Sequence, residues 1–416
     1  MIQFLTNPLF LFLSIWGSAI ALYLGGVFTG LFPAPHGLTI VALSLNLVGF
    51  SLGYLTWALV KGLTPPPVER LPAPNESALP RRIQRALAFT LLMGVVALPL
   101  MLYRLMNSGG VHRGALELLL NPPLLRTQVI ECFLTGAWQA SPVTMLIALT
   151  NGFFVTGFIL LGVFLRLDHT MRRYVYVCGF LLVALASCLL NLSRYDMTTW
   201  VMYLVLAYIM TAGALGDQRG HRMARDLLPP VLGVALIFIV VELLLHKSDT
   251  FHLAGGWRKH LFPFYWNVAS APAAFNDFLG HFHGAPTLGE RTFPAFFKWL
   301  HRFHLAPLHS FPILYEFLFI PHPVNTYTYL RIFYEDFGLL GVAIVPYIYG
   351  VLMAALYGPA RRRFPYLNAY LLLLVPLMFS WFHYCLQSSQ FYLQILFGFL
   401  LFRYELPARL SYRYSQ

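Results

Sequence analysis

Apolar residues in this chain fall in long unbroken runs, with neither the alternation of strands nor the one-sided spacing of surface helices. A helix needs about 20 apolar residues to cross the hydrocarbon of a bilayer. Ten stretches meet or approach that length: 8–32, 38–60, 86–106, 144–166, 174–192, 197–216, 228–246, 338–357, 366–386 and 389–403. Each predicts a transmembrane helix. The stretch 127–143 is apolar but short and interrupted, and it reads as a re-entrant or interfacial helix. Residues 1–60 hold no Asp, Glu, Lys or Arg, and Lys61 is the first charge. No basic leader precedes the first run, which is long enough to stay in the bilayer.

Composition sharpens this reading. Of the 416 residues, 58% are hydrophobic and only 11% are charged, where a soluble domain carries roughly 25%. Mean hydropathy is +0.66. The expected fold is an all-α polytopic integral membrane protein of about ten spans (ten to twelve), one transmembrane domain over 1–416. Cys132, Cys178, Cys188 and Cys385 lie in apolar surroundings and read as small packing residues.

Lys and Arg set the orientation, because cytoplasmic loops carry the excess. The Pro-rich loop 61–85 holds Lys61, Arg70, Arg81, Arg82 and Arg85. Every second loop after it is also basic, around Arg166, Arg219, Arg361 and Arg403. All fall on one side if ten spans are counted, so that side is expected to be cytoplasmic, with both termini. The outer side then receives 107–143, a tight turn at 193–196 and one large loop, 247–337. That loop contains an amphipathic helix candidate at Phe293–His304, with Phe296, Phe297, Leu300 and Phe303 at helical spacing. Its many aromatics suit either the bilayer interface or the faces of sugar rings.

Several chemistries drop out. The chain has no Gly-rich phosphate loop, so nucleotide-driven work is not expected. Its histidines form no HExxH pair, Glu335 and Asp336 are adjacent rather than spaced as Asp-X-Asp, and no metal, cofactor or nucleic-acid partner is expected. What remains is an outer face rich in arginine: Arg194, Arg258, Arg291 and Arg331 among others. Arginine pairs with phosphate oxygens through two parallel N–H donors and keeps its charge. Such residues either clamp a lipid-linked pyrophosphate or pair with lipid headgroups and the loop's own carboxylates.

The most informative stretch closes the large loop: Asn325-Thr326-Tyr327-Thr328-Tyr329-Leu330-Arg331, then Tyr334, Glu335, Asp336, Phe337 and Gly338. It resembles the Asn-X-Tyr-Thr-X-X-Arg…Tyr-X-Asp-Phe-Gly pattern of bacterial oligosaccharide repeat unit polymerases (O-antigen polymerases of the Wzy type). Weaker likeness extends to Ala274-Phe-Asn-Asp-Phe-Leu279 and to Leu192-Ser-Arg194. The resemblance implies an integral-membrane enzyme of the bacterial inner membrane, related in fold to the metal-independent lipid-linked (GT-C-like) sugar transferases. It implies a periplasmic reaction in which a growing glycan leaves undecaprenyl pyrophosphate and joins a new lipid-linked repeat unit. It also implies a chain-length regulator of the Wzz type as partner.

On that reading Arg331 and Arg194 grip the pyrophosphate, with Arg258 and Arg291 as helpers. Asp336, His322 and Glu335 are candidates for activating the attacking hydroxyl, and Asp336 is equally suited to holding Arg331 in place. Tyr327, Tyr329 and Tyr334 either meet sugars or form an aromatic belt. Asn325 either joins them or, with Thr328, fixes the loop's backbone turns. Rival expectations are an O-antigen ligase using the same donor, a flippase for lipid-linked sugars, and an acyltransferase built on His383.

Overall fold

A computed structural model describes residues 6–63, 79–107, 114, 117, 121, 124, 142–168, 170–191, 194–215, 226–228, 231–232, 258–305, 318–320, 323–324, 326–381 and 389–402. Their helices are α1 (Pro8–Phe28), α2 (Gly37–Leu63), α3 (Leu79–Met106), α4 (Pro142–Leu167), α5 (Arg172–Asn191), α6 (Arg194–Ala214), α7 (Arg258–His281), α8 (Pro294–Arg302), α9 (Leu330–Ala360), α10 (Phe364–Met378) and α11 (Ser389–Leu401). One small antiparallel pair joins β1 (Leu318–Phe319) to β2 (Pro323–Val324). Seven of the helices are long and apolar enough to cross a membrane, and α10 and α11 are shorter apolar helices. The chain is therefore an all-α polytopic membrane protein. Nine of the ten predicted spans coincide with these helices, while 228–246 lies almost wholly outside the described residues.

Two helices form the centre. From Thr150 to Arg166 every residue of α4 is buried, and α10 is buried from Leu367 to Leu377. Glycines and stacked rings set how close their neighbours come. Gly162 admits the Leu204 carbonyl of α6, and Gly94 of α3 faces the Phe154 ring. Phe154 in turn stacks on Phe180, with ring centroids 5.4 Å apart, and meets Trp200 edge-on at 5.3 Å. Phe153 stacks on Phe397 of α11 at 4.1 Å. At the other end of α5 and α6, Arg173 pairs with Asp226 at 3.2 Å, and the Tyr208 hydroxyl donates to the same carboxylate at 2.9 Å.

The tightest helix pair is α2 against α9. Gly49 and Gly53 stand four apart, so they share one face of α2. A Cβ at Gly49 would collide with the carbonyl of Ala343, one at Gly53 with that of Tyr347, and one at Gly350 with that of Phe50. Small residues are what let backbones touch where lipid removes the hydrophobic drive for helices to associate. The constant register, Gly49 to Ala343 and Gly53 to Tyr347, makes the two helices parallel.

At Gly338 the backbone leaves the helical region (φ 62, ψ −149) and α9 breaks. The short arm, 330–337, then bends sharply across the head of the long arm, bringing the Phe333 carbonyl up to Gly341. Most of the polar run that closes the expected loop is buried, with Tyr327, Thr328, Tyr329, Glu335 and Asp336 inside the bundle.

The 24-residue helix α7 is the second departure. It occupies the middle of the expected outer loop, yet Ala269, Ala271, Ala273, Ala274 and Phe275 are fully buried. Its small residues nest against α1, where the Tyr265 hydroxyl donates to the Leu22 carbonyl at 3.1 Å and Trp266 meets Phe32 at 5.4 Å. Buried Asn276 anchors its far end. The Asn276 Oδ1 accepts from the His36 N–H at 2.8 Å and the Thr39 hydroxyl at 2.6 Å, and its amide donates to Ala34 at 3.2 Å. One of the orphan amides at the start of α2 is satisfied in this way. Arg258, Lys259 and the polar Asn276-Asp277 pair lower the hydropathy of the stretch, so a span criterion passes over it.

Candidate functional site

The broken helix meets the turn before α8 beside the end of α7, and charged side chains gather there. They come from two places, Arg331, Glu335 and Asp336 on the short arm of α9 and Arg291 on the turn before α8. Arg331 and Glu335 are four residues apart, so a helix stacks them on one face. The Arg331 Nε donates to Glu335 Oε1 at 2.9 Å, and Arg291 Nη1 donates to Glu335 Oε2. Glu335 therefore bridges two guanidinium groups that are 40 residues apart in the chain. Its side chain is 4% exposed, against 16% for Arg331 and 20% for Arg291, so the carboxylate is the more deeply buried of the three.

Two rings hold the Arg331 guanidinium, whose Cζ lies 4.1 Å from the centroid of Tyr327 and 4.6 Å from that of Phe278. A cation this close to two ring centroids is attracted by both ring faces. Tyr334 stands edge-on to Phe278 and to Phe282 at 6.2 and 5.9 Å, extending an aromatic wall from the α7 end.

Asp336 is occupied otherwise. Fully buried, it accepts the Thr287 hydroxyl and the Arg291 backbone N–H (3.2 Å) on Oδ1. On Oδ2 it accepts the backbone N–H and the hydroxyl of Thr292, each at 2.5 Å. The Thr287 and Leu288 amides donate to the carbonyls of Glu335 and Asp336 at 3.1 and 3.2 Å. Both oxygens are taken up in latching the 287–292 turn to the short arm. Of the two roles open to Asp336, the geometry assigns positioning, and the side chain it positions is Arg291. Glu335, not Asp336, is the carboxylate on Arg331.

The other expected residues divide. Tyr327 is buried beneath Arg331. Tyr329 is buried away from these charges, with its hydroxyl on Asn46 Oδ1 at 2.7 Å and its ring 5.6 Å from Trp16, which makes it a packing residue. Thr328 is also buried, and the turn it begins closes with the Arg331 N–H on its carbonyl at 3.2 Å. Arg194 opens α6 and Arg258 opens α7, but their side chains are outside what is described. His322, Asn325 and His383 lie outside the described residues. No three His, Cys, Asp or Glu side chains gather as metal ligands among the described residues.

Sequence reasoning missed Thr287, Thr292 and Asn46. The threonines lie more than 40 residues from Asp336 and carry no local signal. Asn46 did carry one, as an amide in mid-span, where a polar residue needs a partner.

The guanidinium groups of Arg291 and Arg331 both meet the Glu335 carboxylate, so an anion would reach them there only by exchange with Glu335. The chain matches no protein-family model, no curated protein and no solved structure, so the chemistry of these residues carries the functional reading.

Proposed function

We propose that the protein polymerises oligosaccharide repeat units carried on undecaprenyl pyrophosphate, at the periplasmic face of a bacterial inner membrane. The observation that carries this reading is the pair Arg291 and Arg331 joined through Glu335 in a membrane-spanning bundle. The resemblance of 325–338 to the repeat unit polymerases supports it independently.

In the proposed reaction the diphosphate of the donor lipid displaces Glu335 from the two guanidinium groups. Its charge grows as the bond from the anomeric carbon to the phosphate oxygen breaks, and fixed cations stabilise that charge most where it is greatest. A hydroxyl of the acceptor unit forms the new bond at the anomeric carbon. Its proton passes to the carboxylate that the diphosphate has released, Glu335. Undecaprenyl pyrophosphate leaves, and no oxidant, reductant or nucleotide is consumed. Tyr327 and Phe278 hold the Arg331 guanidinium in place throughout, and Tyr334 stands against Phe278 beside it. A Wzz-type regulator of chain length is the proposed protein partner.

The test is Arg331→Ala in cells, read as the ladder of surface polysaccharide. Collapse to a single capped repeat supports polymerisation. Loss of even the first repeat points instead to a ligase or a flippase. An unchanged ladder removes Arg331 from the mechanism.

A further inference from the structure

Helix α8 follows the turn that Asp336 latches. It is nine residues long, Pro294–Arg302, about 13 Å at 1.5 Å per residue, far too short to span a bilayer. Its apolar positions nevertheless form one arc. Phe293, Phe296, Phe297, Leu300 and Phe303 recur at helical spacing, with His301 at the edge of the arc and Arg302 opposite it. Phe297 and Leu300 are half-buried, and the rest of the arc is open. Phe296 is 60% exposed, Phe303 59% and Phe293 44%.

The ends of α8 extend this surface. After Arg302 the chain closes a Schellman turn, with His304 at φ 58, its N–H on the His301 carbonyl at 2.9 Å, and the Leu305 N–H on the Leu300 carbonyl at 2.9 Å. Such a turn returns the following apolar residue to the apolar side of the helix, and Leu305 is 72% exposed. Before α8, the turn latched by Asp336 displays Leu288, 75% exposed and held at φ 51. Five large apolar side chains thus stand open along one short segment.

Exposed apolar residues on α1, α2 or α3 need no special account, since those helices are long enough to face hydrocarbon. For α8 the occupant must be something else, and we infer that it is the bilayer interface, with the apolar arc set into the acyl boundary and His301 and Arg302 directed to phosphates and water. A short helix with an aromatic face and a basic face is built for that plane. The spanning helices already place lipid beside it, and its link to the bundle runs through the Thr287–Thr292 latch. Seated so, α8 holds the Arg291 turn at headgroup level. The inference does not depend on what Arg291 and Arg331 bind.

Photo-crosslinking tests it in the full chain. The protein is reconstituted into vesicles of phosphatidylethanolamine and phosphatidylglycerol, with benzoylphenylalanine at position 296, 303 or 302 in separate variants, and adducts are identified by mass spectrometry. Lipid adducts several-fold more abundant at 296 and 303 than at 302 are expected. Adducts to a second protein copy at 296 and 303, equal lipid labelling at all three positions, or no lipid labelling at any would overturn it. Benzoylphenylalanine keeps the aromatic ring of Phe296 and Phe303, and only variants that run as a single folded species in detergent are scored. Hydrogen exchange at 294–303 gives a second reading: slower exchange in vesicles than in a lipid-free polymer scaffold is expected, and identical rates would count against the assignment.

Discussion

The Tyr329 hydroxyl donates to the Asn46 Oδ1 at 2.7 Å, and neither residue reaches solvent. This bond joins the polar run before α9 to the middle of a spanning helix. Beside it the Tyr329 N–H donates to the Ser380 carbonyl at 2.9 Å, where α10 has ended, and the Ser380 hydroxyl accepts from Trp16 at 2.9 Å. α10 stops short of the predicted 386 at Met378, and the turn that follows supplies these acceptors.

Tyr329→Phe is therefore expected to destabilise the protein by about 1–3 kcal/mol, the cost of leaving a buried amide unpaired. Thermal unfolding in detergent measures it. Asn46→Leu made together with Tyr329→Phe should recover part of that loss, because an apolar pair leaves no orphan. A double variant as unstable as the sum of the singles would show that the bond is not what couples the two sites.

Glu335→Gln removes the anion that competes for Arg291 and Arg331. Pyrophosphate should then bind the purified protein more tightly, by at least about tenfold, since a like charge at contact distance is gone. Polymer synthesis should fall at the same time, because the proposed proton acceptor is gone as well. Weaker pyrophosphate binding in this variant would contradict binding by exchange.

Thr292→Val deletes one of the hydrogen bonds on the Asp336 carboxylate and should cost about 1.5–3 kcal/mol, the range for a bond to a charged group. Asp336→Asn and Thr292→Val are both expected to shorten the polysaccharide ladder, with Asp336→Asn the more severe, because its NH2 must face the backbone N–H of Arg291 or of Thr292. If Asp336 were the base, the asparagine variant would abolish synthesis and the valine variant would leave it intact. The ladder of each variant decides between the two roles.

Gly338→Ala tests the break in α9. No atom lies within 4 Å of where its Cβ would be, so the whole penalty is backbone conformation. At φ 62 and ψ −149 that penalty is of order 1–3 kcal/mol. The expected result is a lower unfolding temperature and loss of activity, as the short arm straightens and withdraws Arg331 and Glu335. Gly17→Ala, also with open space around it but inside a regular helix, is the control and should be neutral or better.

Much of this protein is legible in one dimension. Runs of apolar residues specify membrane helices because hydrocarbon tolerates little else, and nine of ten such runs coincide with helices. Arg331, Glu335 and Arg291 were visible as candidates because charge is scarce in this chain. Helix α7 was not visible as a buried element, because alanines and a serine packed against α1 carry too little hydropathy to register as a span.

The partnerships were not legible at all. That Glu335 also holds Arg291, that Asp336 serves the Arg291 turn, and that Tyr329 belongs to the core depend on groups 44 to 283 residues apart in the chain. Hydropathy and residue type are local properties, and they determined the class of the molecule and the inventory of its charges. Which charges meet depends on a helix that breaks at one glycine and on two backbones brought together by three others, and only the folded chain decides that.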